Sequence, residues 1–177
     1  MAIQYRKYGQ KVADALQKVL REEWPGTPIY FVNRENYRAK ASPHFGLIPG
    51  ETTILESYGG GNLREYEFTI RYYIRKPRAT NHFQVNIHKY LSDISERLIR
   101  LIDNKNKHED TNIFFGEIVD TFGTLTDLFS DIIAYRWHNG RIININFDPD
   151  RTDKEDKKDL QIMEAQFLCN VMEIKVV

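Results

Sequence analysis

An alternation of apolar and polar side chains over residues 64–75 constrains the fold of this chain more than any other feature of its sequence. Successive side chains of a β-strand point to opposite faces of the sheet, so a period of two indicates a strand. We therefore predict a strand with one face against a core and the other in water or against a partner. The apolar side consists of Tyr66, Phe68, Ile70, Tyr72 and Ile74, and the polar side of Glu65, Glu67, Thr69, Arg71 and Arg75, with Tyr73 the one aromatic residue among them.

Two segments have the three- and four-residue spacing of an amphipathic helix. The first lies within residues 3–23 and is ended by Pro25 and Pro28, because proline cannot continue a helix. The second is predicted over residues 81–102. The apolar stripes are Tyr5, Tyr8, Val12, Leu16 and Val19 in the first, and Phe83, Ile87, Tyr90 or Leu91, Ile94, Leu98 and Leu101 in the second.

Short β-prone runs bounded by turn-forming residues predict further strands. Glycines 59–61, followed by Asn62, have the permissive backbone that a hairpin turn requires, just ahead of the alternating strand. The segment 37–50 is rich in proline and glycine and is predicted to be a loop. The strands are predicted at 29–33, 52–57 and 141–147, the last one after a turn at 138–140.

The last apolar run, residues 162–176, is predicted to be a long strand with a defect. Its apolar residues keep odd numbers from Met163 to Val171 and even numbers from Met172 onward. A shift of one residue turns the apolar set to the other face of a sheet, so we predict a β-bulge or bend within residues 170–172.

The order of helix, strands, helix, irregular insert and strands predicts an α+β fold. We expect an antiparallel or mixed sheet of about four to six strands with two main helices packed on one face. The chain of 177 residues is treated as one domain, 1–177, with a partly irregular insertion at 105–139. Within that part, 103–112 is predicted as a solvated linker, 113–119 as a strand and 125–134 as a short helix.

The charge balance argues against a dedicated nucleic-acid binder. Lys and Arg number 25, as do Asp and Glu, whereas binding to DNA or RNA depends on an excess of basic residues that neutralise phosphates. Residues 1–16 lack the continuous apolar stretch of a signal peptide, and the longest apolar run, 132–135, is far too short to span a bilayer. The single Cys169 fits a reducing compartment.

No catalytic, metal or cofactor site is predicted. Glycines 59–61 lack the Lys and Ser or Thr of a phosphate-binding loop. The acidic tract 148–159 has Asp153 where a calcium loop requires glycine, so we interpret it as a solvated loop. His82 and His88 are six residues apart on a helix and point in different directions. We expect Cys169, among alternating apolar residues, to be a small buried hydrophobe, and the protein not to be an enzyme.

Aromatic residues outside the predicted core elements indicate protein interfaces, because they bring large contact area at small entropic cost. The alternative, that the insert folds back onto its own domain, remains equally open. The preferred interpretation of the basic residues from Arg71 to Arg78 is the solvent-exposed end of a strand. The candidate interface residues are Tyr58, Gly59, Gly60, Gly61, Asn62, Arg71, Arg75, Phe114, Phe115, Phe122, Phe129 and Trp137.

The whole pattern resembles the tail-terminator and tail-completion proteins of tailed bacteriophages, which form a ring that caps the tail tube. The resemblance rests on order, length and pattern over most of the chain, with no invariant motif. The matching segments are the opening helix 5–20, the strands 29–31 and 65–74, the helix 83–102, the segment 137–147 (WHNGRIININF) and the closing strand 167–176.

This resemblance implies a non-enzymatic structural protein of the phage neck with an α/β sandwich fold. It implies a homo-oligomeric ring, a hexamer in the family, whose partners are the tail-tube protein on one side and head-side connector or neck proteins on the other. Genomic DNA would be passing cargo, and there would be no cofactor and no membrane partner. The protein would be part of the virion, assembled in the host cytoplasm.

Two other classes stay open at this point. One is a different head-tail joining, head-completion or tail-tube structural protein, which would share the same interaction chemistry. The other is a small soluble enzyme or a nucleic-acid accessory protein, which would require a concave site with perturbed titratable groups.

Overall fold

The computed structural model describes residues 8–31, 43–58, 61–75, 82–107, 117–118, 135–147 and 160–174. These residues form two helices and six strands. The elements are α1 (Tyr8–Glu23), β1 (Ile29–Phe31), β2 (His44–Tyr58), β3 (Gly61–Arg75), α2 (His82–Lys107), β4 (Glu117–Ile118), β5 (Tyr135–Phe147) and β6 (Leu160–Ile174).

The strands form one mixed sheet in the order β1-β2-β3-β6-β5-β4. The short strand β1 pairs parallel to β2, and every other neighbouring pair is antiparallel. Residues from both helices join a single apolar cluster with one face of this sheet. The predicted α+β fold, with a mixed sheet and two helices on one face, is confirmed.

The middle of the sheet is the pairing of β3 with β6. It runs without a register shift from Gly61 opposite Ile174 to Arg75 opposite Leu160. Because the register is regular, the apolar sets of both strands face the same side. Phe68 lies opposite Phe167, and Ile70 lies opposite Ala165, all of them buried. The alternation that predicted β3 thus forms the centre of the core.

The core lies between this sheet face and the two helices. The helices contribute apolar residues at the three- and four-residue spacing that was predicted for them. Tyr72 of β3 and Tyr90 of α2 also share a hydrogen bond between their hydroxyl groups at 2.8 Å. The buried helical residues of the cluster are Val12, Ala13, Ala15, Leu16 and Leu20 from α1 and Leu91, Ile94, Leu98 and Ile102 from α2.

The C-terminus of α1 is joined to α2 by one arginine. The guanidinium of Arg97 bonds to the carboxylate of Glu23 and also donates to the Glu23 carbonyl oxygen at 3.1 Å. The same guanidinium lies over the ring of Trp24, 5.2 Å from its centre. A cation beside the last carbonyls of a helix satisfies free acceptors and interacts favourably with the helix dipole. Gly26, at φ 83°, then turns the chain toward β1.

The prediction of a loop over residues 37–50 is wrong for residues 44–50, and residues 37–42 lie outside the described residues. β2 begins at His44, and residues 44–48 are buried. The glycine and proline that indicated a loop lie within the strand: Gly46 pairs with Arg71, and Pro49 stands beside a register shift. Tertiary pairing on both sides overrides the local turn signal here, since β1 contacts one edge of this stretch and β3 the other.

The β-bulge predicted near residues 170–172 is not found, because β6 pairs with β3 without a register shift there. Extra residues lie instead in the neighbouring strand. β6 pairs regularly with β3, whereas β5 has one extra residue between His138 and Arg141 and another between Ile142 and Asn144. Residues 138–140, predicted to be a turn, are the first of these bulges. Asn139 has a φ of 53°, a left-handed conformation that asparagine tolerates better than most residues.

The remaining differences concern the insertion. α2 continues to Lys107, so the prediction of a linker at 103–112 is wrong for residues 103–107, and residues 108–112 lie outside the described residues. Of the strand predicted at 113–119, the structure describes 117–118, which form β4, and the other residues lie outside the described part. The helix predicted at 125–134 and the acidic tract 148–159 lie outside the described residues. In the part of the chain that is described, neither helix combines the length and apolar character needed to cross a bilayer.

Two isoleucines of the sheet provide a matched test of this architecture. Ile70 is fully buried, whereas Ile54 is 54% exposed. We expect Ile70→Ala to lower the free energy of unfolding by about 2–5 kcal/mol, because it removes core contacts and leaves a cavity. Ile54→Ala should change it by less than about 0.5 kcal/mol. Urea unfolding of both variants measures the difference, and equal losses would contradict the assignment of the core face.

Candidate interaction surface

The hairpin of β2 and β3 brings the first group of predicted interface residues together. Tyr58 ends β2 and pairs with Gly61, and Ser57 pairs with Asn62. This antiparallel register confirms that the two strands are joined as a hairpin, although Gly59 and Gly60 lie outside the described residues. Tyr58 is exposed, and Asn62 is half-buried. The hairpin end therefore presents an aromatic ring to the surroundings.

The outer half of β2 is exposed along its whole length, from Pro49 to Tyr58. Its large apolar side chains are exposed to 54% at Ile54, 44% at Leu55 and 45% at Tyr58. Isolated exposed apolar residues are common on protein surfaces, but these three lie within one short stretch at the end of a strand and offer contact area to a protein partner. We call residues 49–58 the β2 arm.

The β2 arm is also an open sheet edge within the described part of the chain. β1 pairs only with Phe45, Gly46 and Leu47, so beyond Leu47 the outer side of β2 has no described strand beside it. Two extra residues in β2, between Pro49 and Thr52 and between Ile54 and Glu56, shift its register with β3. The two bulges divide this edge into short regular stretches. Bulges and prolines in an edge strand limit its pairing with arbitrary strands of other molecules.

The second predicted group, Arg71 and Arg75, lies at the other end of β3. Gly61 and Arg75 are the two ends of a 15-residue strand, which spans about 45–50 Å at the usual rise per residue. The structure therefore does not bring Arg71 and Arg75 together with the hairpin end. Two separate surfaces carry the residues that the sequence grouped as candidate interface positions.

Arg71 makes an ion pair within the chain. Its Nε donates to Glu164 of β6 at 2.6 Å, and both side chains are partly buried, with 27% and 17% of their surface exposed. The two residues are direct cross-strand partners. Desolvation opposes the charge of Arg71, but its contacts with Tyr73 and Glu164 outweigh this effect and raise its pKa. The guanidinium thus serves first to join β3 to β6.

A parallel arrangement lies farther along the same sheet face. Arg141 of β5 donates to the carboxylate of Glu65 at 2.7 Å, and its Nη1 donates to the Asn139 carbonyl oxygen at 3.1 Å. Gln166 donates to Glu67 at 3.4 Å. The polar face of the sheet is therefore a network that crosses three neighbouring strands.

One interpretation of the alternation predicted that the polar side of β3 lies in water. The structure shows that part of this side is buried. Thr69 and Tyr73 are each 2% exposed, and the His44 ring stacks on Tyr73 with centres 4.7 Å apart and planes at 10°. His44 itself is fully buried. Burial raises the pKa of Tyr73, against the opposing influence of Arg71. This end of the face is thus a second, mixed polar and aromatic interior.

The aromatic residues of the insertion mostly lie outside the described residues, namely Phe114, Phe115, Phe122 and Phe129. Trp137 is placed by its backbone in β5, opposite Val171 of β6. Val171 in turn lies opposite Arg64, which pairs with Ile54. Trp137 therefore stands at the same height of the sheet as the β2 arm, but three strands away. Its role in an interface remains a prediction.

Two exposed residues at the other sheet edge were not identified from the sequence. Ile143 is 50% exposed and Phe147 is 43% exposed, both in β5. The run of isoleucines predicted a strand, but the bulge between Ile142 and Asn144 turns Ile143 outward. A single sequence has no signal for a bulge that arises from pairing with a distant strand.

Cys169 occupies the position expected for a small hydrophobe. It is fully buried in β6, and burial raises the pKa of its thiol, with a further contribution from Glu65 and an opposing one from Arg141. Such a thiol remains protonated and is a poor nucleophile. Among the side chains that the structure describes, no three His, Cys, Asp or Glu residues are arranged to hold a metal ion.

The buried hydroxyls and thiol predict a loss of stability at high pH. Burial raises the pKa of Tyr72, Tyr73 and Cys169 in the folded protein. The unfolded chain loses these protons first, above about pH 9, so the free energy of unfolding falls as the pH rises beyond that value. Urea unfolding at intervals from pH 7 to about 11 measures the slope. Tyr72→Phe should make that slope shallower, and an unchanged slope would contradict the burial of this hydroxyl.

The pair of Arg71 and Glu164 should be worth more than an exposed pair. A double-mutant cycle with Arg71→Ala and Glu164→Ala should show a coupling energy of about 1 kcal/mol, since both charges are partly desolvated. The exposed pair of Glu96 and Arg100, at 3.3 Å on α2, is the control and should give about 0.3–0.5 kcal/mol. Equal coupling in the two cycles would show that the sheet pair has no special structural role.

Comparison with known proteins identifies no family. No family of known proteins matches this sequence, and no curated protein does. One solved structure with a similar chain is the virion of a native gene transfer agent particle. The likeness covers 93% of each chain at 15% sequence identity, with a TM-score of 0.33. A TM-score this low does not establish a common fold or function.

Proposed function

We propose that this chain is a structural protein of a tailed, phage-like virion that forms a ring at the end of the tail tube, as a tail terminator does. Its partners in this role are further copies of itself, the tail-tube protein and a head-side connector or neck protein. DNA passes through the ring without being bound specifically. The protein acts by binding and carries out no reaction.

The β2 arm carries this proposal. A ring subunit requires a rigid body and a projecting surface that reaches neighbouring molecules, and contacts between unlike surfaces close into a ring when the rotation allows it. The central strands of this protein form a regular sheet over an apolar core, whereas residues 49–58 are exposed and carry Ile54, Leu55 and Tyr58. This combination suits assembly better than it suits a monomer that works alone.

The order of elements gives further support. Each segment on which the resemblance to tail terminators rests coincides, in whole or in part, with an element of the fold. These are α1, β1, β3, α2, β5 and β6. The equal numbers of acidic and basic residues, 25 of each, also suit a channel through which DNA moves without adhering.

Solution mass and binding to tube ends test the proposal. Light scattering over two decades of concentration should give the mass of a discrete ring, or that of a monomer that assembles only when tail tubes from the same virion are added. Electron microscopy should then show the protein at tube ends and not along their sides. A protein that stays monomeric and does not bind tail tubes would overturn the proposal. Binding along the whole length of the tube would also overturn it, because that behaviour is expected of another kind of tail protein.

Substitution within the β2 arm sharpens the test. Ile54→Ser with Leu55→Ser should weaken ring formation or tube capping about tenfold or more, because both side chains are exposed apolar anchors. Ile99→Ser is the control for the loss of an exposed apolar side chain, since Ile99 is also exposed, at 36%, and belongs to α2. Equal effects of the two variants would remove the arm from the assembly surface.

A further inference from the structure

We infer that the β2 arm binds an extended segment of another virion protein by strand addition, and that this segment alternates basic with apolar side chains. The inference deepens the proposed function and rests on it for the choice of a virion protein as the partner. In strand addition, the partner lies beside the arm as a further strand and shares main-chain hydrogen bonds with it. Three features of the arm support this mode of binding: its exposed backbone, its two unlike faces and its carboxylates.

The backbone of the β2 arm is exposed, and not only its side chains. Every residue from Pro49 to Tyr58 is exposed. Gly50 has no side chain, so its exposure is that of the backbone itself. Within the described part of the chain, β1 is the strand on the outer side of β2, and it reaches no farther than Leu47. Alternate N–H and C=O groups of the arm point away from β3, and these are the groups that an added strand bonds to.

The bulge at Leu55 gives the arm two unlike faces. Ile54 pairs with Arg64 of β3. Glu56, two residues later, pairs with the preceding residue Leu63. Neighbouring residues of β3 point to opposite faces, so Ile54 and Glu56 do as well, whereas a regular strand would place both on one face. The Ile54 face suits apolar side chains of a partner, because Arg64 already places a positive charge there, and the Glu56 face suits basic ones.

The carboxylates of the arm are available to a partner. Glu51 and Glu56 have no hydrogen bond or ion pair with any other residue that the structure describes, and β2 contains no Lys or Arg. Glu67 lies beside them, because a Cβ at Gly50 would come within 2.9 Å of its side chain. Its carboxylate accepts a hydrogen bond from the neutral amide of Gln166. Lysine or arginine of an added strand would supply the missing positive charge.

A second copy of the arm does not fit this edge. Each arm carries two carboxylates and no basic residue, so two arms side by side would bring like charges together. The bulges after Pro49 and Ile54 leave short regular stretches, which limit pairing with arbitrary strands. Basic and apolar positions that match the two faces of the arm then select the partner.

Binding of short synthetic peptides tests the inference. The probe is a peptide that alternates lysine with valine, titrated into the full-length protein. It should bind and slow amide hydrogen exchange within residues 50–58 while leaving exchange in α2 unchanged, as measured by mass spectrometry. Replacement of every lysine by glutamate should weaken binding about tenfold or more. Absence of binding by the lysine peptide, or slowed exchange only outside the arm, would overturn the inference.

Methylation of the peptide backbone separates strand addition from a contact of side chains alone. An added strand uses every second amide N–H toward its neighbour, so two N-methylated peptides are compared, one methylated at the lysines and one at the valines. One of the two should lose binding and the other should retain it. Equal behaviour of the two peptides would overturn strand addition.

Removal of charge from the arm tests the role of its carboxylates. Glu51→Gln with Glu56→Gln should weaken binding of the lysine peptide about fivefold, because the side chains keep their size and lose only their charge. Asp93→Asn with Asp103→Asn is the matched control, since it removes the same charge from exposed positions of α2 and should leave the affinity unchanged. Equal effects would show that the peptide responds to net charge, which would overturn the inference.

Tail tubes separate this inference from the proposed function. Excess lysine peptide should prevent the protein from capping tubes and leave its mass in solution unchanged. A fall in that mass would place a second copy on the arm and overturn the choice of partner. Capping that persists at saturating peptide would overturn the inference and leave the proposed function intact. Peptide binding by a protein that does not bind tubes would overturn the proposed function, while strand addition at the arm would stand.

Discussion

The regular pairing of β3 with β6 is the constraint on which the rest of this structure depends. These strands are far apart in the sequence, yet they pair over their whole length without a register shift. A slip of one residue would turn Phe68 or Phe167 from the core to the opposite face, which makes the register energetically specific. Both helices pack on the face that this pairing creates. The opposite face acquires its network in the same way, because Arg71 meets Glu164 only in this register.

The regular centre and the irregular edges have different roles. The four extra residues found among the described strands lie in β2 and β5, on the two sides of the β3–β6 pair. Irregularity at the centre would disturb the core, whereas at the edges it changes which side chains face outward and interrupts backbone pairing. The exposed Leu55 and Ile143 are themselves the extra residues of two of these bulges. A sheet with a regular centre and irregular flanking strands follows, and the proposed role in assembly depends on this property.

The fold could be predicted to a large extent from the sequence, and the candidate surface only in part. The alternation in β3 and the stripes of the two helices are local patterns, and each reflects a single buried face. The hairpin end with Tyr58 followed from the glycines, which is again a local signal. The start of β2 at His44 was not predictable, because its neighbours on both sides come from elsewhere in the chain. The bulge was misplaced because pairing with a distant strand decides its position. The change of parity after Val171 indicated a bulge in β6, whereas the extra residues lie in β5.

The sequence by itself determined the class of fold, the two helices, the central strand and the apolar surroundings of Cys169, because these depend on the spacing of apolar residues along one segment. The tertiary structure alone decided the order of the strands, the position of the bulges and the partners of Arg71 and Arg141. It also decided which apolar residues of the edge strands are exposed. The physical reason is that the contacts of a charged side chain and the exposure of an edge strand depend on the strands beside them. These neighbouring strands come from distant parts of the sequence.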